Sequence, residues 1–448
     1  MEYRDKKELF LTMEHTTQLL SDTTIEHIYH CAKCGLCLEV CPVYREMLVE
    51  SHSPRGKVQL ARHIIEGDLA ITDRMNDILF SSCLLCGSCV AACPSGVRQD
   101  VLFSGLRWRA AQRHGLGFTK KLFFHVLARG WLMSQSAWFG RWTREILRIT
   151  GIEEKIQAGN LPVEGVPPMN AKPFNNAYRG VIPARGMTNA RVLYFHGCAT
   201  NYVFGDIGSA VVSVLRRMGV QVEIPRNQPC CGLPIFLSGD RKTSLACIHD
   251  VVEKFDRDDV DAVIVDCATC GSALKNEYPH ILKELRDLGE NVDDDLVEAA
   301  ERLAAATMDI SEFIDIHREW MPKFSPTNGE KMKVTYHDPC HLLRGQGVGV
   351  EPRRLLTMLP NVDFLEMNEA DRCCGGGGEY QIEYGDTSAL ITNRKIANIC
   401  RSGAEIVATG CPGCNITIGA HLKKINDIRI LHPVQLIHMA LEGDNWKT

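Results

Sequence analysis

Short apolar runs rich in branched side chains recur through the later part of the chain, at Val192–Cys198, Ala262–Cys267, Val334–Cys340 and Glu405–Cys411. Runs of this kind read as buried parallel strands. Between them, apolar positions return at helical spacing over Ser209–Met218, Thr243–Phe255 and Ser388–Arg401, so strand and helix alternate and a doubly wound sheet is expected. The first hundred residues show helical spacing instead. There Val58, Ala61 and Ile65, flanked by Leu60 and Ile64, follow Ser53-Pro54, a helix start with Ser as N-cap and Pro in the first position. Gly67-Asp68 interrupt the pattern, and Asp73–Phe80 reads as a second short helix. The expected class is α+β multidomain. No window approaches the roughly 18 to 20 apolar residues that a membrane-spanning helix needs.

Length and composition narrow the class. A chain of 448 residues exceeds the roughly 250 to 300 at which one hydrophobic core stops growing. With 45% hydrophobic, 23% charged and 7% aromatic residues it is neither disordered nor fibrous. The net charge of −5 argues against nucleic acid as a partner, because that footprint is a surplus of Lys and Arg. The 20 cysteines are the outlier. No apolar signal segment precedes the first of them, so a cytoplasmic location is expected, with thiols that bind metal rather than form disulfides.

Spacing says which metal. The first cluster reads Cys31-x2-Cys34-x2-Cys37-x3-Cys41-Pro42 and the second Cys83-x2-Cys86-x2-Cys89-x3-Cys93-Pro94. In the bacterial ferredoxin run, three cysteines wrap one iron–sulfur cube and the fourth, followed by Pro, serves the other. The expected [4Fe-4S] ligand sets are therefore Cys31, Cys34, Cys37 with Cys93, and Cys83, Cys86, Cys89 with Cys41. Gly35 and Gly87 leave room for the backbone to approach the sulfides. Structural zinc is the bland alternative, but it takes two Cys-x2-Cys pairs or Cys/His mixtures rather than these runs.

The remaining twelve cysteines carry an internal repeat. In the first copy Cys198 is followed after 31 residues by Cys230-Cys231-Gly232, and Cys231, after 35 intervening residues, by Cys267-x2-Cys270. In the second, Cys340 is followed after 32 residues by Cys373-Cys374-Gly375, and Cys374, after 36 intervening residues, by Cys411-x2-Cys414. All ten follow expected strands or loops. Ligands on doubly wound sheets collect at the carboxyl ends of the strands, so five thiols per copy would converge there. Four suffice for one cube; a fifth permits a differently shaped cluster or an exchangeable ligand. Cubane, non-cubane and zinc occupancy all stay open. Gly232 and Gly375 count with the site as backbone beside a cluster. Cys247 and Cys400 fall outside the repeat and read as buried structural thiols.

This arrangement resembles the CCG-domain iron–sulfur proteins from about residue 20 onward. Ser53-Pro54-Arg55-Gly56-Lys57, Cys93-Pro94-Ser95-Gly96-Val97 and Tyr336-His337-Asp338-Pro339-Cys340-His341 look most like the glycolate and lactate oxidase iron–sulfur subunits. The resemblance implies a helical two-cluster ferredoxin domain over 1–105, a basic helical segment and linker over 106–190, and two tandem α/β CCG domains over 191–325 and 326–448. It also implies one or two further clusters in the CCG domains, and FAD on a partner subunit, not on this chain. The partner would be an FAD-containing dehydrogenase subunit or an electron-transfer flavoprotein, with a quinone or membrane cytochrome as electron acceptor. Both Cys-Cys-Gly motifs are complete, as in the heterodisulfide reductases. The second reading is therefore a catalytic subunit that cleaves a disulfide at a CCG-bound cluster.

Other signals bear on the choice. No Gly-x-Gly-x-x-Gly follows a strand and no Gly-x4-Gly-Lys-Ser/Thr occurs, so no loop is expected to cradle a nucleotide. Gly375 to Gly378 follow a Cys-Cys pair rather than a strand and read as room around a cluster. Residues 101–150 hold nine Lys or Arg (among them Arg107, Lys120 and Arg129) against Glu145 alone, with Trp108, Trp131, Trp138 and Trp142. That mixture suits either an interfacial helix on the inner face of the cell membrane or a helical linker packed on its neighbours. Residues 159–185, rich in Pro, Gly and Asn, read as a linker, as does 323–331, and the acidic stretch 284–302 reads as a solvated face. His30, His196, His337, His341 and Arg372 stand beside presumed ligands, where they would tune a cluster or serve as hydrogen-bonded structure.

Overall fold

Ser53 accepts the Gly56 N–H at 2.9 Å and so caps the helix Pro54–Ile65, with Pro54 in its first turn. The computed structural model describes residues 20–70, 72, 75, 82–149, 157–162, 165–170, 172–325, 330–423 and 428–443. Apart from Met75, the helix expected over Asp73–Phe80 lies outside the described residues, as do residues 326–329 of the 323–331 junction. Helices Asp22–Tyr29, Leu36–Val40, Pro42–Met47, Pro54–Ile65 and Ser88–Ala91 build the N-terminal head. Ile28, Val58, Ala61, Val97 and Leu102 form its core, completed by Phe103 from the helix Gln99–His114.

Two sheets follow. In the first, the strand order is Gly180–Ile182, Val220–Ile224, Ala190–Phe195, Ala262–Val265, Thr307–Asp309. All neighbours are parallel except the first pair. In the second, Val362–Phe364, Met332–Tyr336, Ile406–Ala408 and Arg429–Leu431 lie side by side and are all parallel. Omitting the antiparallel edge strand, the two sheets share one strand order, so the cysteine repeat is also a fold repeat. Val192, Leu193, Tyr194 and Phe195 are all fully buried, which explains the unbroken apolar run: helices cover both faces of the sheet. The expected helices appear as Gly205–Arg217, Arg241–Phe255 and Gly385–Ser402. Tyr194 and Tyr336, at corresponding positions in the two sheets, enter one core that spans both.

Two expectations change. The Pro-rich stretch 159–185 is not a free tether. Gly180–Ile182 pairs antiparallel with Val222–Ile224. Asn160 N–H donates to the Gln381 carbonyl at 2.7 Å, and a side chain at Gly159 would meet that same oxygen at 2.3 Å. Turn-forming residues announced the bends but not the partner that orders them. The acidic stretch is not solvated throughout either. Glu284 is buried and accepts from the Ser21 backbone N–H at 3.0 Å, the Ser21 hydroxyl, and Thr24 Oγ1 at 3.0 Å. It thereby ties the N-terminal helix to the first sheet's helical layer. On the other side, Arg45–Glu369 at 2.8 Å and Arg394–Glu46 at 2.7 Å join the head to the second half.

Candidate iron–sulfur centres

The two ferredoxin-type runs fold alike. Lys33 and Gly35 in one, and Leu85 and Gly87 in the other, take positive φ (57°, 87°, 48° and 70°). The loop thus curls around a common centre before Leu36–Val40 or Ser88–Ala91 begins. Only Gly adopts that conformation without strain, and each Gly directly precedes its helix. Cys31, Cys34, Cys37 and Cys93 line one small cavity, and Cys41, Cys83, Cys86 and Cys89 line another. Backbone N–H groups point at sulfur: Tyr44 at Cys41, Leu85 at Cys83 and Val97 at Cys93, each at 3.4 Å. Thiolate-rich cradles with inward amides fit [4Fe-4S] clusters, whose sulfurs accept such bonds.

In each CCG half the five cysteines come from three places: the helix start after the first strand, the Cys-Cys-Gly turn, and the helix start after the third strand. Gly232 and Gly375 adopt φ of 73° and 88°. Their N–H groups donate to Cys230 and Cys373 Sγ, both at 3.4 Å. A side chain would collide there, at 2.9 Å from Cys247 Cβ in the first half and 2.6 Å from Thr392 Oγ1 in the second. Cys247 is therefore packing, as its position outside the repeat suggests. Within the first half, Cys198 neighbours Cys230, and Cys231 neighbours Cys230 and Cys270. Hydrogen bonds from Cys230, then Cys270, hold the Cys231 thiol below its ordinary value. In the second half Cys374 is lowered in the same way by Cys373 and Cys414, its sulfur 3.4 Å from that of Cys414. The fit to an iron–sulfur group is again one of donor chemistry: five buried or half-buried thiols per half and no competing carboxylate ligand among the described residues.

Two contacts link these sites. The Cys86 thiol lies against Cys373, joining the head to the second half, and Cys267 lies against Cys411, joining the two halves. The Gly run makes the first approach feasible: a side chain at Gly377 would strike Leu84 at 2.4 Å. At Gly377 the room in the run is thus spent on docking the ferredoxin loop, while Gly375 stays beside the Cys373 sulfur.

Charge around the thiols was only partly legible. Lys57 is 2% exposed, donates to Ser82 Oγ at 3.0 Å and faces Cys83 and Cys41; the sequence offered it only as part of a helix start. Lys395 is placed likewise beside Cys374 and Cys373, its ammonium lowered by burial to about 8. Arg107, counted with the basic segment, is an internal pin that donates to the Cys83 and Leu237 carbonyls. Of the histidines, His196 is buried with Nδ1 on the Gly197 carbonyl, and burial lowers it to about 4, so it is neutral structure. His337 has a ring nitrogen within 4.8 Å of the Cys374 and Cys414 sulfurs. His341 touches Cys340 Sγ only at 3.9 Å, and His30 is exposed. Arg372 lines a small cleft with Cys373.

Thiol sets of this spacing on paired, parallel-stranded halves behind a two-loop helical head define an iron–sulfur protein with several clusters. Residues 27–97 match the 4Fe-4S dicluster domain, and residues 192–275 and 334–419 each match the cysteine-rich domain CCG. The chain belongs to the CCG-domain iron–sulfur family that contains the glycolate oxidase iron–sulfur subunit. It is 30% identical over 440 residues to the probable glycolate oxidase iron–sulfur subunit of Bacillus subtilis, covering 94% of this chain and 95% of that one. It is 34% identical over 271 residues to a fumarate reductase (CoM/CoB) subunit of Methanothermobacter marburgensis, covering 59% of this chain and 50% of that protein. Lactate utilization protein A of Oceanobacillus iheyensis is 29% identical over 255 residues, 56% of this chain and 98% of that one.

Proposed function

We propose that the chain is the electron-transfer subunit of a 2-hydroxy acid dehydrogenase complex, in which a partner's FAD oxidises a glycolate- or lactate-type substrate to the 2-oxo acid. The two electrons leave the flavin one at a time, and a quinone or another carrier receives them. Cys31, Cys34, Cys37 and Cys93 would hold one [4Fe-4S] cluster, Cys41, Cys83, Cys86 and Cys89 the second, and the five thiols of each CCG half a further centre. Such clusters supply single-electron chemistry. The chain's own contribution is placement, and the observation that carries the reading is the pair of thiol contacts, Cys86 to Cys373 and Cys267 to Cys411. They support reading the head, the second half and the first half as consecutive stations.

The test is anaerobic purification with whatever accompanies the chain, followed by assay of iron, flavin and substrate-dependent dye reduction. Flavin on a second polypeptide with glycolate- or lactate-driven reduction is the expected result. Disulfide cleavage by the isolated chain with a reduced dye would replace the relay with the reductase reading, which the two complete sets of five cysteines favour.

The same proposal places the chain on a membrane surface near its acceptor. Among the described residues no helix is long and apolar enough to cross a membrane. The helices Phe118–Ala128 and Gly130–Ile149, however, leave Phe118 80%, Trp131 62% and Trp142 56% exposed, beside Lys121 and Arg141. Co-sedimentation with vesicles containing anionic lipid should exceed that with neutral vesicles and fall with salt. Equal recovery with both, or none with either, removes the membrane from the proposal.

A further inference from the structure

Where the head meets both CCG halves there is a cavity of about 640 Å³, a volume typical of sites for organic ligands. Its acids are already engaged. Asp100 pairs with Arg98 at 2.9 Å, Asp371 with Arg344 at 3.1 Å, and Glu284 accepts from Ser21 and Thr24. Burial raises Glu277 to about 7, so much of it is uncharged near neutral pH. Several of its donor atoms are unmet. Arg241 is only 7% exposed, yet its Nε and Nη1 have no hydrogen-bond partner, and neither do Arg344 Nη1, His280 Nε2 and Ser272 Oγ. Arg241 stacks on Trp108, its guanidinium 3.6 Å from the ring centroid, a contact that favours this placement. Unmet donors on a buried guanidinium are costly and are relieved by an anion. Val101, Leu233, Phe236 and Ile281 give the rest of the wall an apolar surface.

We propose that this cavity binds a small organic anion, with a carboxylate head on Arg241 and an apolar body against Phe236 and Ile281. Ser272 and Arg344 supply further donors. Cys86 and Cys340 line the same space, so, on the relay reading above, the bound anion stands beside two of the stations and is sensed by them.

The probe is 1-naphthoate, with uncharged 1-naphthalenemethanol as its control, titrated calorimetrically into the anaerobically isolated full chain. Naphthoate should bind at one site and the alcohol more weakly. R241Q should weaken naphthoate roughly tenfold or more, as expected on removing a buried charge-assisted donor, at unchanged iron content. S272A, which leaves the Trp108 stack intact, should weaken it by a smaller factor and keeps the test open if R241Q fails to fold. Bound naphthoate should also alter the electron paramagnetic resonance line shape of the reduced protein. Absence of binding, equal binding of acid and alcohol, or unchanged affinity in S272A and a folded R241Q would overturn the inference. An iron-loaded chain that ignores naphthoate defeats the cavity proposal and leaves the relay standing; an iron-poor chain that binds it does the reverse.

Discussion

Replacing Cys93 by Ala should remove one [4Fe-4S] cluster, about four iron atoms, and the cluster lost should be the one gripped by Cys31, Cys34 and Cys37, not that of its own loop. Cys93 shares a cavity with those three, while Cys41 faces Cys83, Cys86 and Cys89. Non-additivity makes the crossing measurable. C31A/C93A should lose no more iron than either single variant, because both substitutions open the same cradle. C41A/C93A should lose roughly twice as much, because it opens both. Iron analysis with low-temperature spectroscopy of the reduced protein reads the result. Loss of both clusters in C31A/C93A, where the crossed sets predict loss of one, would mean that each run closes its own cluster, and the crossed arrangement would be wrong.

A second large effect is expected at Lys57. Its ammonium is buried against Ser82 Oγ, lies 5.9 Å from the Phe103 ring centroid, and faces Cys41 and Cys83. Burial pulls its pKa down while the neighbouring thiolates oppose that pull. A cluster gains negative charge on reduction, so a nearby cation favours the reduced state, and removing it must lower the potential. One electron corresponds to about 59 mV per tenfold change in equilibrium. A buried charge worth ~1–3 kcal/mol therefore predicts a fall of roughly 40–130 mV in K57M, for the cluster at Cys41, Cys83, Cys86 and Cys89 alone. Redox titration followed by electron paramagnetic resonance checks it. A rise, or a shift shared equally by every cluster, would show that Lys57 does not act as a local counter-charge.

The two predictions differ in how far the sequence foresaw them. The grouping of Cys93 with the first run and Cys41 with the second could be expected from the ferredoxin-type spacing, because three thiols of each group lie within seven consecutive residues and a loop that short has few ways to curl. The role of Lys57 could not. A Lys after Ser-Pro-Arg-Gly reads as the exposed first turn of a helix, and only the packing of Pro54–Ile65 against the second cysteine loop turns it inward. Glu284 was hidden for the same reason: an acidic stretch looks solvated until a Ser and a Thr from about 260 residues away dock on it.

What the residue order alone determined was local: strands from unbroken apolar runs, cysteines at the ends of those strands, the duplication, and the glycines that let backbone amides reach sulfur. These follow from constraints acting over a few residues, where periodicity and backbone conformation suffice. What only the tertiary structure decided was which thiols stand next to one another across the chain. Cys86 meets Cys373 because the Gly run admits Leu84, and Cys267 meets Cys411 because two sheets share one apolar core. Such contacts depend on how whole layers pack, and packing is set by burial summed over many residues rather than by any motif.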